Sequence, residues 1–193
     1  YKACESAPVG GALLREFPRI GIVLLAAGQS RRMGTNKQLL PWRGKTVLDA
    51  VCHALQIGWM QSANGSSLVN YPFVAVTNDN RNIDEIVKNY GFSVIHNENP
   101  ELGQGASIAL GIQYLLSTYG RNYFDGIICS VSDQPLLCPK VIETLIQYFQ
   151  QRHDADNRII VVPKYGFTQH AGNPVMFGNH WFDALQTIEG DQG

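Results

Sequence analysis

The sequence predicts an α/β fold of three layers, a mostly parallel sheet with helices on both faces, and three observations carry that expectation. Apolar runs of strand length alternate along the chain with amphipathic segments of helical period. Two of those runs open at once into turns loaded with charge or glycine, "AAGQSRRMG" after the first and "SDQP" after a later one. The 193 residues are 45% hydrophobic and only 16% charged, which suits one domain with a substantial core.

Taken in order, residues 1–18 form a polar, Gly-containing lead with no assigned role, and residues 19–193 form one domain that stops inside a loop-like "EGDQG". Strands are expected at 20–26, 73–77, 93–96, 126–131 and 159–163, where β-branched and aliphatic residues concentrate. Thr46 caps a helix whose Val47, Leu48, Val51, Cys52 and Leu55 recur at helical spacing, with Gly58 as its stop. A second helix runs from about 82 to 90 and ends at Gly91, a left-handed C-cap. Further helices are expected over 107–116 and over 140–151, the latter opened by Pro139. The polar patch at residues 61–67, "QSANGSS", reads as a surface loop.

Composition narrows the function. A formal net charge of -1 provides no broad basic field for nucleic acid or an anionic membrane. The four cysteines form no CxxC and the five histidines no zinc-type pair, so reduced thiols in a cytoplasmic protein are expected. No apolar run reaches membrane-spanning length.

In a sheet of this kind a ligand sits at the carboxyl ends of the strands, and the two loaded turns should share that edge. Gly28 and Gly34 bracket a loop carrying Arg31 and Arg32, with Lys37 just beyond. Glycines let backbone N–H groups approach phosphate oxygens, and the cations neutralise their charge. The spacing is neither that of a P-loop nor GxGxxG. Asp133, directly after the apolar run "GIICSV", offers a hard oxygen ligand for Mg²⁺, although an aspartate before Gln-Pro also serves as a turn residue. Asp191 is a second candidate ligand. Ser107 and the Gly103 and Gly105 backbone are placed to meet a base or ribose, or simply to start a helix with small residues. Arg43 and Lys45 beside Trp42 read as a solvated turn or a substrate rim, and His170 and Asn173 as turn residues or contacts to a second substrate.

These residues resemble a known family. "LLAAGQSRRMGTNKQLLP" resembles the L-A-[AG]-G-x-x-x-R-M-G-x-x-K signature of the MobA-like nucleotidyltransferases. "GQGASIALG", "SDQP", "GNPVMF" and "GDQG" follow in the order of that family's molybdenum-cofactor cytidylyltransferase branch. The resemblance covers residues 20–193 and departs from the branch at Asn173, where histidine often precedes "PV".

The resemblance implies a Rossmann-like nucleotide-diphospho-sugar transferase fold and a Mg²⁺-dependent enzyme. It would move CMP from CTP to the terminal phosphate of molybdopterin, releasing pyrophosphate. Leu25, Ala26, Ala27, Gly28, Ser30, Arg32, Gly34, Lys37, Asn97, Gly103 and Ser107 would bind the nucleotide. Arg32, Lys37 and Asp133 would be catalytic, and Asp133 and Asp191 would hold the metal. Ala27, where the guanylyl branch tends to carry a second glycine, points to CTP rather than GTP. A molybdoenzyme or its maturation chaperone would receive the product. The competing readings are a guanylyltransferase of the same family, a sugar- or polyol-phosphate nucleotidyltransferase and a non-catalytic cofactor carrier.

Overall fold

In the computed structural model, residues 17–28, 36–62, 71–153, 155–166, 170–188 and 190 are described. The strands are β1 (Ile20–Leu25), β2 (Pro41–Trp42), β3 (Lys45–Thr46), β4 (Phe73–Thr77), β5 (Ser93–His96), β6 (Gly126–Val131), β7 (Ile160–Val161), β8 (Lys164–Tyr165), β9 (His170–Ala171) and β10 (Val175–Gly178). The helices are α1 (Val47–Ser62), α2 (Arg81–Asn89), α3 (Gln104–Tyr119), α4 (Pro139–Gln150) and the single turn α5 (Phe182–Leu185).

Among the described residues, six strands form the central sheet in the order β5-β4-β1-β6-β10-β7. The four strands from β5 to β6 run parallel, as strand-helix alternation requires. Strand β10 is antiparallel to both β6 and β7. The expected fold class is therefore present, with a strand the alternation did not predict: residues 175–178 sit between β6 and β7 with Met176 fully buried. A four-residue apolar run beside turn residues is too short for periodicity to separate strand from loop.

Alternate residues of β1 serve the two layers. Ile20, Ile22 and Leu24 join Leu48 and Leu55 of α1, Ile83 of α2 and Phe149 of α4 in one buried cluster. Val23 faces the opposite cluster with Ile112 and Leu115 of α3, Ile127 of β6 and Phe182 of α5. Side chains alternate across a strand with a period of two, so a strand apolar at every position must be covered on both sides. That double cover identifies β1 as the central strand.

Local chemistry explains most boundaries. At the start of α1 the Thr46 hydroxyl accepts from the Asp49 backbone at 3.1 Å, and the Asp49 carboxylate accepts from the Thr46 backbone at 3.1 Å, a reciprocal cap. Helix α2 starts under Asn80, whose side chain accepts from the Asn82 and Ile83 amides, and it is followed by Gly91 at φ 81°. Arg43 at φ 47° and Gly44 at φ 82° form the left-handed pair that closes the β2–β3 hairpin.

Gly58 is not a helix stop: α1 continues through it to Ser62. A Cβ there would overlap Pro139 O and lie 2.6 Å from Ile142 Cβ, so the glycine is where α4 crosses α1 at close range. Helix α3 begins at Gln104 and runs to Tyr119, longer at both ends than the 107–116 expectation, and β7 covers only 160–161 of the expected 159–163. Most of the "QSANGSS" patch lies outside the described residues, although Gln61 and Ser62 close α1.

Candidate active site at the carboxyl edge of the sheet

The turns after β1 and β6 share one edge, because these strands are parallel neighbours with Leu25 paired to Val131. Strand β4 flanks β1 on the other side, pairing Val76 with Leu25, and β5 pairs His96 with Thr77. Continuing these registers by one or two residues puts Asn97, Asn78, Ala27 and Asp133 at one level across the edge, on strands about 4.8 Å apart. Backbone bonds hold the continuation: the Ala26 amide donates to Val76 O at 2.8 Å and the Asn97 amide to Thr77 O at 2.8 Å.

Residues in this row differ in what they leave free. Ala26 and Ala27 are buried and Gly28 is exposed, so the chain surfaces as it leaves β1. Asp133 is exposed, with no hydrogen bond or ion pair to another described residue. Asn97 and Ser107 are brought together, but as partners of each other: the Asn97 amide donates to the Ser107 hydroxyl at 3.0 Å in a buried setting. Asn97 Oδ1 in turn accepts from the Asn99 amide at 2.9 Å, so the side chain holds its own turn.

Gly103 lies at φ 89° directly before α3. The first turn of α3 meets the C-terminal segment, since the Gly105 amide donates to Gly190 O at 2.9 Å. That bond brings the residue before Asp191 to the N-terminus of α3. Asp191 itself lies outside the described residues, as do Ser30, Arg31, Arg32 and Gly34. Lys37 is exposed on a 3-10 turn over Lys37–Leu39, capped by the Asn36 side chain.

Three residues of this edge escaped the sequence reading. Gln38 is 5% exposed and its Nε2 donates to Ala26 O at 3.1 Å and to Ser132 Oγ at 2.8 Å. Ser132 donates onward to Leu25 O at 2.8 Å. Asn78 has a buried Oδ1 without a hydrogen-bond partner among the described residues, as has Gln38 at Oε1. The available signal was a glutamine wedged between Lys37 and two leucines, since a polar side chain in an apolar run needs partners from elsewhere.

A carboxylate-imidazole cluster buttresses the same edge. Asp79, Asp84 and His96 present ligand atoms within 4.8 Å of one another. His96 Nε2 is 3.0 Å from Asp84 Oδ2, and its Nδ1 is 3.6 Å from Asp79 Oδ1. The two carboxylates thus address opposite ring nitrogens, so a divalent ion here would take one nitrogen and give up one of these contacts. Thr77 donates to the other Asp84 oxygen at 2.7 Å, tying the end of β4 to α2.

The rims singled out in the sequence are tied into the fold. Arg43 stacks over Trp42 at 5.6 Å, and Lys45 donates to the Tyr90 hydroxyl at 3.4 Å. Burial, and then its bond to Asp49, pushes the Tyr90 phenol up to about 12. His170 is exposed in β9, and Asn173 O accepts from the Tyr165 hydroxyl at 2.7 Å. Of the described cysteines, Cys52 and Cys129 are buried and Cys138 is exposed.

Asp133 fits a hard divalent cation. It is an exposed carboxylate with no partner among the described residues, and Mg²⁺ is commonly held by one or two carboxylates together with substrate phosphates. No described helix is long and apolar enough to cross a membrane.

Known proteins resemble this chain in sequence and fold. The chain is 25% identical over 146 residues to a probable molybdenum cofactor guanylyltransferase of Natranaerobius thermophilus, covering 75% of this chain and 60% of that protein. It is 27% identical over 180 residues to the purine catabolism protein PucB of Bacillus subtilis, covering 89% of this chain and 76% of that one. Rv0371c of Mycobacterium tuberculosis superposes with a TM-score of 0.64 at 25% identity, over 92% of this chain and 80% of that one. Residues 22–193 match the MobA-like NTP transferase domain, and the chain therefore belongs to that family.

Proposed function

We propose that the protein transfers CMP from CTP to the terminal phosphate of molybdopterin, giving a molybdopterin cytosine dinucleotide and pyrophosphate. The observation that carries this reading is the carboxyl edge at which the parallel neighbours β1 and β6 end side by side, Ala27 and Asp133 each following two residues after the paired Leu25 and Val131. A nucleotide laid along the turn after β1 would bring its phosphates toward Asp133, an exposed carboxylate with no partner among the described residues.

The chemistry needs no protein nucleophile. A phosphate monoester is largely dianionic at neutral pH, and one of its oxygens attacks the α-phosphorus of CTP as the bond to the pyrophosphate oxygen breaks. The chain must gather anions and neutralise them. Gly28 lets the backbone approach the phosphates, and Lys37 and Arg32 supply positive charge toward the triphosphate. Asp133, with Asp191, would hold Mg²⁺, which screens phosphate repulsion and charge developing on the leaving group.

The resemblance at Ala27 supports CTP, since the guanylyl branch tends to carry glycine there, while the Ala27 side chain itself is buried against the core. The guanylyltransferase named among the relatives favours a second reading in which GTP is the donor. Family membership supports an enzyme over a cofactor carrier. The recipient of the product would be a molybdoenzyme or its maturation chaperone.

Pyrophosphate release with Mg²⁺ and CTP, GTP, ATP or UTP in turn, with and without molybdenum cofactor, tests the proposal. Release specific to CTP and dependent on the cofactor supports it, and GTP-specific release moves it to the second reading. Release only when a sugar or polyol phosphate replaces the cofactor overturns the acceptor and leaves the nucleotidyltransferase.

A further inference from the structure

We propose that Gln38 is a positioning residue of the transfer site, its carboxamide setting the distance between the turn after β1 and the turn after β6. The inference rests on the nucleotidyltransferase reading of that edge. Both N–H bonds of the amide are spent across segments distant in sequence, one on Ala26 O and one on Ser132 Oγ. Ser132, 2% exposed, accepts that bond and donates its own hydroxyl to Leu25 O at 2.8 Å. The two turns are therefore cross-linked twice, through Gln38 and through Ser132.

Gln38 is itself fixed. Its backbone amide donates to Asn36 Oδ1 at 3.1 Å, which holds the 3-10 turn carrying Lys37. Three segments, bearing Lys37, Gly28 and Asp133, converge on one side chain. Packing alone does not account for a glutamine there. An apolar residue of the same volume would fill the space without leaving Oε1 buried and unpartnered. What the carboxamide adds is its pair of donors at a fixed angle.

The arrangement has a functional consequence. Charge neutralisation by Lys37, and by the cation that Asp133 would hold, works only if both stand at the right distance from the same phosphates, and misplacement of about 1 Å costs about 10²-fold in rate. Ser132 immediately precedes Asp133, so a shift of the tie is passed directly to the carboxylate.

The test compares Gln38→Glu, which keeps the shape and loses the donors, and Gln38→Met, which keeps the volume, with Ser132→Ala and the Gln38→Met/Ser132→Ala double variant. The expected result is a fall in kcat for pyrophosphate release of about 10²-fold in both Gln38 variants, with KM for the nucleotide changed far less. The Mg²⁺ concentration for half-activation rises, and the double variant is no worse than the poorer single one. Hydrogen exchange on the ligand-free protein gives a reading independent of activity: the amides of Ala27, Gly28, Asp133 and Gln134 exchange faster in Gln38→Met, while those of α3 and β4 do not. Unchanged exchange at both turns, or a rise matched throughout α3 and β4, overturns the proposal. A wild-type protein that releases no pyrophosphate from any nucleotide defeats the transferase reading, and the exchange result still decides whether Gln38 sets the two turns.

Discussion

The Asn97 amide donates to the Ser107 hydroxyl at 3.0 Å with both side chains 5% exposed, joining the turn after β5 to the first turns of α3. Removing one partner strands the other. Asn97→Ala or Ser107→Ala is expected to cost about 1–3 kcal/mol. Urea unfolding of each variant checks this, and stabilities equal to wild type would show that the pair does not support the fold.

Gly58→Ala tests the crossing of α1 and α4. Helix propensity alone favours alanine by about 1 kcal/mol. The added methyl group would press into Ile142 and the Pro139 carbonyl, so net destabilisation of about 1–3 kcal/mol is expected. A variant more stable than wild type would mean that α4 moves aside without cost.

Lys37→Ala and Asp133→Ala address charge rather than packing, since both side chains are exposed. Each is expected to lower turnover about 10²-fold or more while the unfolding midpoint stays near that of wild type. Near-normal pyrophosphate release by either variant would remove that residue from the site.

Ala27→Gly addresses base choice. If the methyl group at 27 disfavours the larger base, the variant's ratio of kcat/KM for CTP to that for GTP falls, because a single methylene-sized change in a pocket is worth about 10-fold or more. A ratio unchanged from wild type would take away the argument for CTP.

The Tyr90 and Asp49 pair gives stability a defined pH dependence. Burial and the bond to Asp49 raise the Tyr90 phenol to about 12, against an unfolded value of about 10. This contribution is complete below pH ~10 and is lost as pH rises toward ~12, because the unfolded chain gives up the proton first. Burial raises the Asp49 carboxyl, but bonds from Thr46 and Tyr90 and the charge of Lys45 outweigh it and lower the pKa on balance. That contribution is present above the unfolded value and is lost as pH falls through the folded one. Tyr90→Phe should flatten the alkaline limb of a stability-against-pH curve, and an unaltered limb would assign it to other groups.

Much of the fold was legible because β1, β4 and β6 are largely apolar at successive positions and bounded by turn residues, a pattern that requires cover on both faces. Helix α2 was legible from its end, where Gly91 follows it in the left-handed conformation, while its cap at Asn80 came only from the structure. Gly58 misled because a glycine at a helix end and a glycine at a helix crossing are identical in sequence. Only α4, more than 80 residues further on, distinguishes them. Residues 175–178 were missed as a strand because their pairing with β6 and β7 depends on chain far away.

At the candidate site the sequence by itself determined the chemistry on offer. Clustered cations and glycines after one strand and a carboxylate after another offer the groups that an anion-binding edge needs, because those groups carry their charge wherever the chain puts them. The tertiary structure decided which residues stand together. It brought the ends of β5, β4, β1 and β6 to one edge, turned Asn97 and Ser107 toward each other, and sent Gln38 across the edge to hold Ala26 and Ser132. Hydrogen bonds reach only about 3 Å, so such pairings between residues up to 94 positions apart exist only once the parallel strands have fixed their register.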